Sequence, residues 1–208
     1  MNGRLFAPLL LGSALAVPVS ARAQQDHPSH GSPGLREVSE AAARSRHHGF
    51  WLSAGLGAGG ERFDANDGLG WSDSRTGGTG YVRLGATVSP SFLVGAEVQG
   101  WTRDYYWEGY HRTLSSLLAI GQWYPGGGAS NFWVRGGLGW AHDDLQLYGD
   151  ATSSSALGQD GTAFVLGLGF DLPMGSRISV TPQLDFNAQH YDSHQEQVLS
   201  LGLGITFH

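Results

Sequence analysis

The chain has 208 residues and a formal net charge of −6, and all of its 12 basic residues are arginine. Nucleic-acid-binding surfaces carry a clustered excess of basic residues, so this charge balance argues against a nucleic-acid partner. The absence of cysteine from the sequence excludes a disulfide scaffold and cysteine metal ligands.

The N-terminal residues 1–23 are predicted to be a signal peptide. Arg4 gives a positive start, and residues 5–17 form an apolar run that is too short to span a bilayer as a helix. Ala21 and Ala23 are small residues of the kind that a signal peptidase recognises before its cleavage site. We therefore expect cleavage after Ala23 and export of the mature chain.

Residues 24–48 are predicted to form a flexible periplasmic segment, because they are rich in Pro, Gly, Ser and charged residues. The segment contains four histidines, His27, His30, His47 and His48. Histidine-rich tracts can bind divalent metals, but this spacing fits no closed metal site. We expect a solvated tail there.

The remaining residues, 49–208, alternate between apolar and polar side chains with the period of two that is typical of β-strands. The alternation predicts eight strands, over residues 49–59, 79–89, 91–103, 111–125, 131–142, 162–173, 176–189 and 196–207. Each is about as long as a tilted membrane strand of about 9–11 residues. We therefore predict an all-β fold, an eight-stranded antiparallel up-and-down transmembrane β-barrel.

Alternation alone does not say which face of the sheet is outside, since a soluble lipocalin-like barrel alternates as well. Here the polar face consists mainly of Gly, Ser, Thr and Gln with a few charges of both signs, whereas a water-facing surface is normally rich in charge. The apolar face of the predicted strands carries no Asp, Glu or Arg, as expected where a mid-membrane Arg costs about 2–4 kcal/mol. The apolar face is therefore predicted to contact lipid.

The connections between predicted strands are alternately long and short, and the short ones are proline-bearing turns of the kind that bacterial barrels place in the periplasm. Two residues fit the assignment poorly: Ser116 is placed facing lipid, and Pro182 removes a ladder donor, which predicts a bulge. Aromatic side chains at the periplasmic end are expected to form an interfacial girdle. Its predicted members are Phe50, Phe92, Tyr124, Phe132 and Phe207.

Charged residues on the lumen face form the most specific candidate site. A hairpin that turns symmetrically about Pro90 places Arg83 directly opposite Glu97, where opposite charges attract strongly. We predict a lumen ionic network that also includes Arg135, Asp185 and Gln183. The favoured role is a plug that blocks flow, and the alternative is a selectivity element or proton path.

The outer loops are expected to hold most of the acidic residues, together with the aromatic run 104–110. These acidic residues are Glu61, Asp64, Asp67, Asp73, Asp104, Glu108, Asp143, Asp144, Asp150, Asp160, Asp192 and Glu196. Exposed aromatic side chains commonly anchor interfaces, so the loops suit an extracellular ligand, or contact with lipopolysaccharide as the alternative.

An enzyme is a weaker hypothesis. The residue types needed for lipid A chemistry are present at the outer end, as His190, Ser193, His194 and Glu196, with His111 and His142 close by. The sequence contains no sign that a serine is activated by an oriented base. An open channel is less favoured still, because eight-stranded interiors are filled by side chains.

Four segments carry a family resemblance: GFWLSAGLGAG, IGQWYPGGG, FWVRGGLGWA and the closing VLSLGLGITFH. They resemble the outer-membrane β-barrel family that includes the OmpA transmembrane domain and OmpX. The resemblance implies an outer-membrane location, contact with outer-membrane lipids and lipopolysaccharide, and insertion by the barrel-assembly machinery through a terminal aromatic residue, here Phe207. It implies neither catalytic residues nor a cofactor.

Taken together, these patterns predict an integral outer-membrane β-barrel protein with a structural or surface-interaction role in envelope integrity or adhesion. We expect a plugged lumen, no cofactor and no catalytic site. The alternatives are a lipid A-modifying enzyme and a narrow channel for small solutes.

Overall fold

The structure, a computed structural model, describes residues 49–127, 130–147 and 158–208. The predicted signal peptide, the segment 24–48 with its histidines, and Asp150 lie outside the described residues. Long β-strands make up most of the described part, and none of its helices is long and apolar enough to cross a bilayer. The strands are β1 (Phe50–Asp64), β2 (Arg75–Ser89), β3 (Phe92–Tyr105), β4 (Tyr110–Trp123), β5 (Phe132–Leu147), β6 (Gln159–Phe170), β7 (Leu172–Pro173), β8 (Ile178–His190) and β9 (Gln195–Phe207).

The eight long strands form a closed ring. Each pairs antiparallel with its neighbours in sequence, β6 pairs with β8, and β1 pairs with β9 to complete the circle. The two-residue strand β7 pairs with β8 below the end of β6. This arrangement confirms the predicted eight-stranded up-and-down barrel.

The outer surface of the barrel is a continuous band of exposed apolar side chains. Leu201, for example, is 68% exposed, and Val94 and Leu168 also point outward. A band of this size would be unfavourable in water but is stable against hydrocarbon. The prediction that the apolar side of these strands faces lipid is therefore confirmed. Their polar side lines the lumen.

Lumen-facing aromatic rings lie against glycines of neighbouring strands. A Cβ added to Gly85 would lie 2.6 Å from Nε1 of Trp51. The ring of Tyr81 covers Gly204 in the same way. A small barrel has room for a large ring only where the neighbouring residue lacks a side chain. These close approaches therefore explain why the lumen-facing positions combine glycine with Trp and Tyr.

The facing of β4 differs from the prediction. Ser116 and Tyr124 lie inside the barrel, 3% and 0% exposed, while Trp123 points outward. The girdle assignment of Tyr124 and the lipid-facing assignment of Ser116 are therefore wrong. The reason is that β4 has leucine on both faces, Leu117 outside and Leu118 inside, so hydrophobicity does not distinguish them and the pairing with β3 decides.

The bulge expected at Pro182 is also absent. Within the described strands, Pro182 lies opposite Leu203 of β9 in an unshifted register. The register with the other neighbour is likewise continuous, because Gly169 faces Gln183 and Leu172 faces Val180. Proline has no backbone N–H to donate, and Pro182 lies where β6 ends and β7 begins. The hydrogen-bond ladder is interrupted there without an extra residue.

Candidate functional site

The five residues predicted for the lumen network lie together at the centre of the barrel. Arg83 Nε is 3.1 Å from Glu97 Oε2, and Arg83 Nη1 donates to Gln183 Oε1 at 2.8 Å. Arg135 Nη2 donates to Asp185 Oδ1 at 2.6 Å, and Arg135 also binds Glu97. Arg83 Nη2 reaches Asp185 Oδ2 at 3.4 Å. The network therefore joins β2, β3, β5 and β8 across the lumen.

This central network is buried and balanced in charge. Its five side chains are at most 6% exposed, and two guanidinium groups face two carboxylates. The guanidinium of Arg83 also lies 3.7 Å from the centre of the Tyr81 ring, a cation–π contact. Such an arrangement holds the strands together and fills the lumen.

A second polar layer lies toward the predicted periplasmic end, and it accounts for the position of Tyr124. The Tyr124 hydroxyl donates to Asp171 Oδ2 at 2.8 Å and accepts from Gln122 Nε2 at 2.8 Å. Thr181 and Trp133 also donate to Asp171, at 2.7 and 3.2 Å. The other four predicted girdle residues point outward at this end, as Phe50, Phe92, Phe132 and Phe207.

A third cluster lies at the opposite end of the lumen, where the loops are longest. We call Glu61, Arg112, Asp143, His194 and Glu196 the loop-end cluster. Glu61, Asp143 and Glu196 were predicted to lie in the outer loops, but they belong to β1, β5 and β9, and their side chains point into the lumen. Above the lipid band the residues no longer alternate between apolar and polar, although the strands still pair. The sequence pattern therefore ends before the strands do. Extending the alternation by two residues beyond strand 49–59 and by one beyond strand 131–142 places Glu61 and Asp143 inside, and Glu196 already lies on the lumen side of the predicted strand 196–207.

Arg112 is the central contact of the loop-end cluster. Its Nε and Nη2 donate to Asp143 Oδ1 and Oδ2 at 3.0 and 2.6 Å, a bidentate pair. Nη2 also binds Glu196, and Nη1 lies 3.6 Å from Glu61 Oε1. One guanidinium thus faces three carboxylates.

The imidazole of His194 faces the same carboxylates. Its Nε2 lies 3.3 Å from Asp143 Oδ2 and 3.6 Å from Glu196 Oε1. On the other side of the ring, Nδ1 is 2.8 Å from Ser193 Oγ, and that hydroxyl donates to Gln159 Oε1 at 2.7 Å. Because the Ser193 proton goes to Gln159, Ser193 accepts from Nδ1–H, and this fixes the orientation of the ring.

The loop-end cluster lies above the lipid band, since the outward-facing residues at its height are polar, such as Arg62, His111 and Gln197. Burial is the main cause that lowers the pKa of His194. Burial also raises the pKa of Glu196 well above the usual range of a glutamate, and the neighbouring Glu61 raises it further. An open cavity of about 500 Å³ adjoins the cluster, lined among others by Phe63, Tyr110, Arg112, Asp143, Ser193 and His194.

The remaining residues considered for enzymatic chemistry do not converge. His190 is exposed on the outer surface. His111 and His142 form pairs with Asp104 and Asp160 at 2.6 and 2.8 Å, away from the lumen. Of these candidates only Ser193 and His194 line the cavity, with Glu196 buried beside them, and the Ser193 hydroxyl is oriented toward the amide oxygen of Gln159.

Comparison with solved structures identifies the fold. The crystal structure of Ail, the attachment invasion locus protein of Yersinia pestis, matches with a TM-score of 0.56 and 16% identity over 77% of this chain and 99% of Ail. Ail in complex with the heparin analogue sucrose octasulfate gives a TM-score of 0.57 and 15% identity, over 76% and 99% of the two chains. Neisserial surface protein A matches with a TM-score of 0.49 and 14% identity, over 76% and 96%.

The similarity to Ail confirms the fold, a closed eight-stranded antiparallel β-barrel like those of outer-membrane proteins. The apolar exterior agrees with a location in the outer membrane. No protein-family model and no curated protein matches the chain.

Proposed function

We propose that this chain is an integral outer-membrane protein that acts at the cell surface through its loop end, and that its barrel is a closed support which does not conduct solutes. The closed, non-conducting barrel is supported by the central network of Arg83, Glu97, Arg135, Asp185 and Gln183. These five residues connect four strands, and each of their side chains is at most 6% exposed. Breaking such a buried pair costs about 3–5 kcal/mol, so the plug remains closed under ordinary conditions.

The turn between β3 and β4 is the best candidate for contact with a partner. Tyr105 and Tyr110 stack with their ring centres 4.5 Å apart, and the amides of Glu108 and Gly109 both donate to the Tyr105 carbonyl. This fixed turn presents Trp107, which is 93% exposed, to the surroundings. An exposed tryptophan on an ordered turn is typical of interface anchors.

The charge of the loop end favours some partners over others. The described part of the loop end has six exposed acidic residues against two exposed arginines, Arg62 and Arg75. The acidic residues are Asp67, Asp73, Asp104, Glu108, Asp160 and Asp192. Ail has been crystallised with a sulfated sugar, but this acidic surface would repel such a polyanion. We therefore propose a neutral or cationic extracellular ligand.

The remaining partners follow from the surface of the barrel. The apolar band is proposed to contact outer-membrane lipids and lipopolysaccharide, and the outward-facing Phe207 near the C-terminus is proposed to be the contact for the barrel-assembly machinery. A structural role in envelope integrity needs only the barrel, whereas adhesion needs the loop end as well. The two roles can therefore be separated by substitutions.

The test uses a deletion strain complemented with wild-type protein, with the double variant Tyr106→Ala/Trp107→Ala, or with Trp123→Ala. Trp123 is the matched control because it is an exposed tryptophan at the other end of the barrel. We expect the double variant to lower attachment to cultured epithelial monolayers to the level of the deletion strain, with detergent resistance unchanged. Attachment equal to wild type would contradict the surface-interaction proposal.

The closed lumen is tested separately in planar bilayers, where the wild-type barrel is expected to give no sustained conductance. Steady single-channel steps from the wild type would contradict the plug and support the channel alternative. An altered lipid A mass spectrum in the deletion strain would support the enzyme alternative.

A further inference from the structure

The loop-end cluster has an imbalance of charge that the central network lacks. Glu61, Asp143 and Glu196 face a single guanidinium, that of Arg112. Counting all three carboxyl groups as ionised gives −3 + 1 = −2, and the metal-free cluster reduces this excess by keeping a proton on Glu196 beside Glu61, which a metal ion would displace. Buried charge without compensation is strongly unfavourable, so the cluster holds either a proton or a cation against its excess of carboxylates.

The donor atoms are spaced as metal ligands. Tetrahedral zinc with bonds of about 2.0–2.1 Å places neighbouring ligand atoms about 3.3–3.4 Å apart. His194 Nε2 lies 3.3 Å from Asp143 Oδ2 and 3.6 Å from Glu196 Oε1. One donor atom from each of Asp143, His194 and Glu196 lies within 4.8 Å of the donor atoms of the other two. Small adjustments of the three side chains would bring them onto one ion.

The orientation of His194 is unusual for a ring without a metal. With Nδ1–H donating to Ser193, a neutral ring presents the lone pair of Nε2 to two carboxylate oxygens. Within the described residues Nε2 makes no hydrogen bond, and the His194 side chain is only 7% exposed. A metal-bound histidine has this arrangement, in which the second ring nitrogen donates to an outer partner that fixes the ring.

We propose that Asp143, His194 and Glu196 bind a divalent transition-metal ion, with zinc preferred, at the loop end of the lumen. Three protein ligands leave a fourth position toward the cavity of about 500 Å³. Arg112 remains compatible with the ion because each carboxylate oxygen has two lone pairs and can serve a metal and a guanidinium together. Glu61 supplies the additional negative charge.

The chemistry of the donors selects the class of metal. Calcium and magnesium prefer sets of six or more oxygens, whereas an imidazole with two carboxylates is typical of zinc and its neighbours in the transition series. Such an ion would tie β5, β9 and the turn 191–194 together across the lumen. The proposal goes beyond the surface-interaction role and does not depend on it, since the adhesion assay and the metal assay use different residues.

The test is equilibrium dialysis of the full mature chain, folded in detergent and stripped with EDTA, against zinc chloride, with bound metal counted by mass spectrometry. Wild type is compared with His194→Gln and with the matched control His142→Gln, whose ring is exposed and pairs with Asp160. We expect His194→Gln to lose one zinc equivalent and His142→Gln to lose none. Zinc bound by the histidines of residues 24–48 is the same in all three proteins, so the difference reports the lumen site.

A second variant keeps all three donors and tests the site even if His194→Gln does not fold. Ser193→Ala removes only the outer partner of the ring, and we expect its zinc affinity to fall by about 10–100-fold. Ser72→Ala, which lines the same cavity, is expected to bind as wild type does. Equal stoichiometry in wild type and folded His194→Gln, or unchanged affinity in Ser193→Ala, would overturn the proposal.

Discussion

The central network and the loop-end cluster contain the same kinds of residue but differ in their balance of positive and negative groups. In the central network two arginines meet two carboxylates. In the loop-end cluster one arginine meets three carboxylates and an imidazole whose Nε2 makes no hydrogen bond among the described residues. The first set is sealed in the lumen, and the second adjoins an open cavity.

This difference indicates how the two sets are used. A buried network with matched charges is complete without any further partner, so it acts as a structural element. A cluster with excess charge beside a cavity is complete only when something else supplies the missing charge. The ratio of positive to negative groups thus separates a plug from a candidate binding site within one barrel.

The largest expected effect comes from breaking the balance of the central network. Glu97→Gln leaves Arg83 and Arg135 with one carboxylate instead of two, and we expect a loss of about 3–5 kcal/mol in the free energy of unfolding. Glu97→Arg is expected to prevent folding. Urea titration followed by tryptophan fluorescence measures the effect, with the exposed Glu108→Gln as control. Stability of Glu97→Gln within about 0.5 kcal/mol of wild type would show that the network is not structural.

The next largest loss of stability is expected at Arg112 of the loop-end cluster. Arg112→Met removes the guanidinium from three carboxylates, and we expect about 2–4 kcal/mol of destabilisation without metal. The same variant should bind zinc more tightly than wild type, because the excess negative charge increases. Thermal unfolding with EDTA or with zinc measures both results, and Arg62→Met is the control. Weaker zinc binding by Arg112→Met would argue that Arg112 helps to build the proposed metal site instead of competing with it.

A smaller effect is expected where packing, and not charge, supports the central network. A Cβ on Gly167 would lie 2.2 Å from Asp185 Oδ1 and 3.0 Å from Arg135 Nη2. Gly167→Ala should therefore displace that ion pair and cost about 1–3 kcal/mol. Gly136→Ala in the neighbouring strand is the matched control, because its nearest neighbour would be 3.9 Å away. Equal unfolding midpoints for the two variants in urea would contradict the close approach.

The smallest effect concerns the layer that holds Tyr124. Tyr124→Phe removes the hydroxyl that links Gln122 to Asp171, and we expect a loss of about 1–2 kcal/mol in the free energy of unfolding. Tyr106→Phe, at an exposed position, should change stability by much less. The same urea titrations report both values. A girdle role for Tyr124 at the membrane surface would predict no difference between them.

Much of this arrangement could be predicted from residues close together in sequence. The pairing of Arg83 with Glu97 was predicted from a symmetric turn at Pro90; the structure has this pair, although the register shifts between Thr87 and Ser89 next to the turn. The outward band also follows, because alternation is a local property of each strand. The facing of β4 could not be predicted, since Leu117 and Leu118 are equally apolar and only the neighbouring strands decide between them.

The eight strands, the lipid-facing side of all of them except β4, and the residues of the central network were predictable from the amino-acid sequence, because period-two alternation places successive residues on opposite sides of a strand. Only the tertiary structure placed Glu61, Asp143, His194 and Glu196 around Arg112. These residues come from β1, β4, β5, β9 and a turn, and they meet because pairing of β1 with β9 closes the ring. Closure is a property of the whole sheet, so no single strand carries a signal for it.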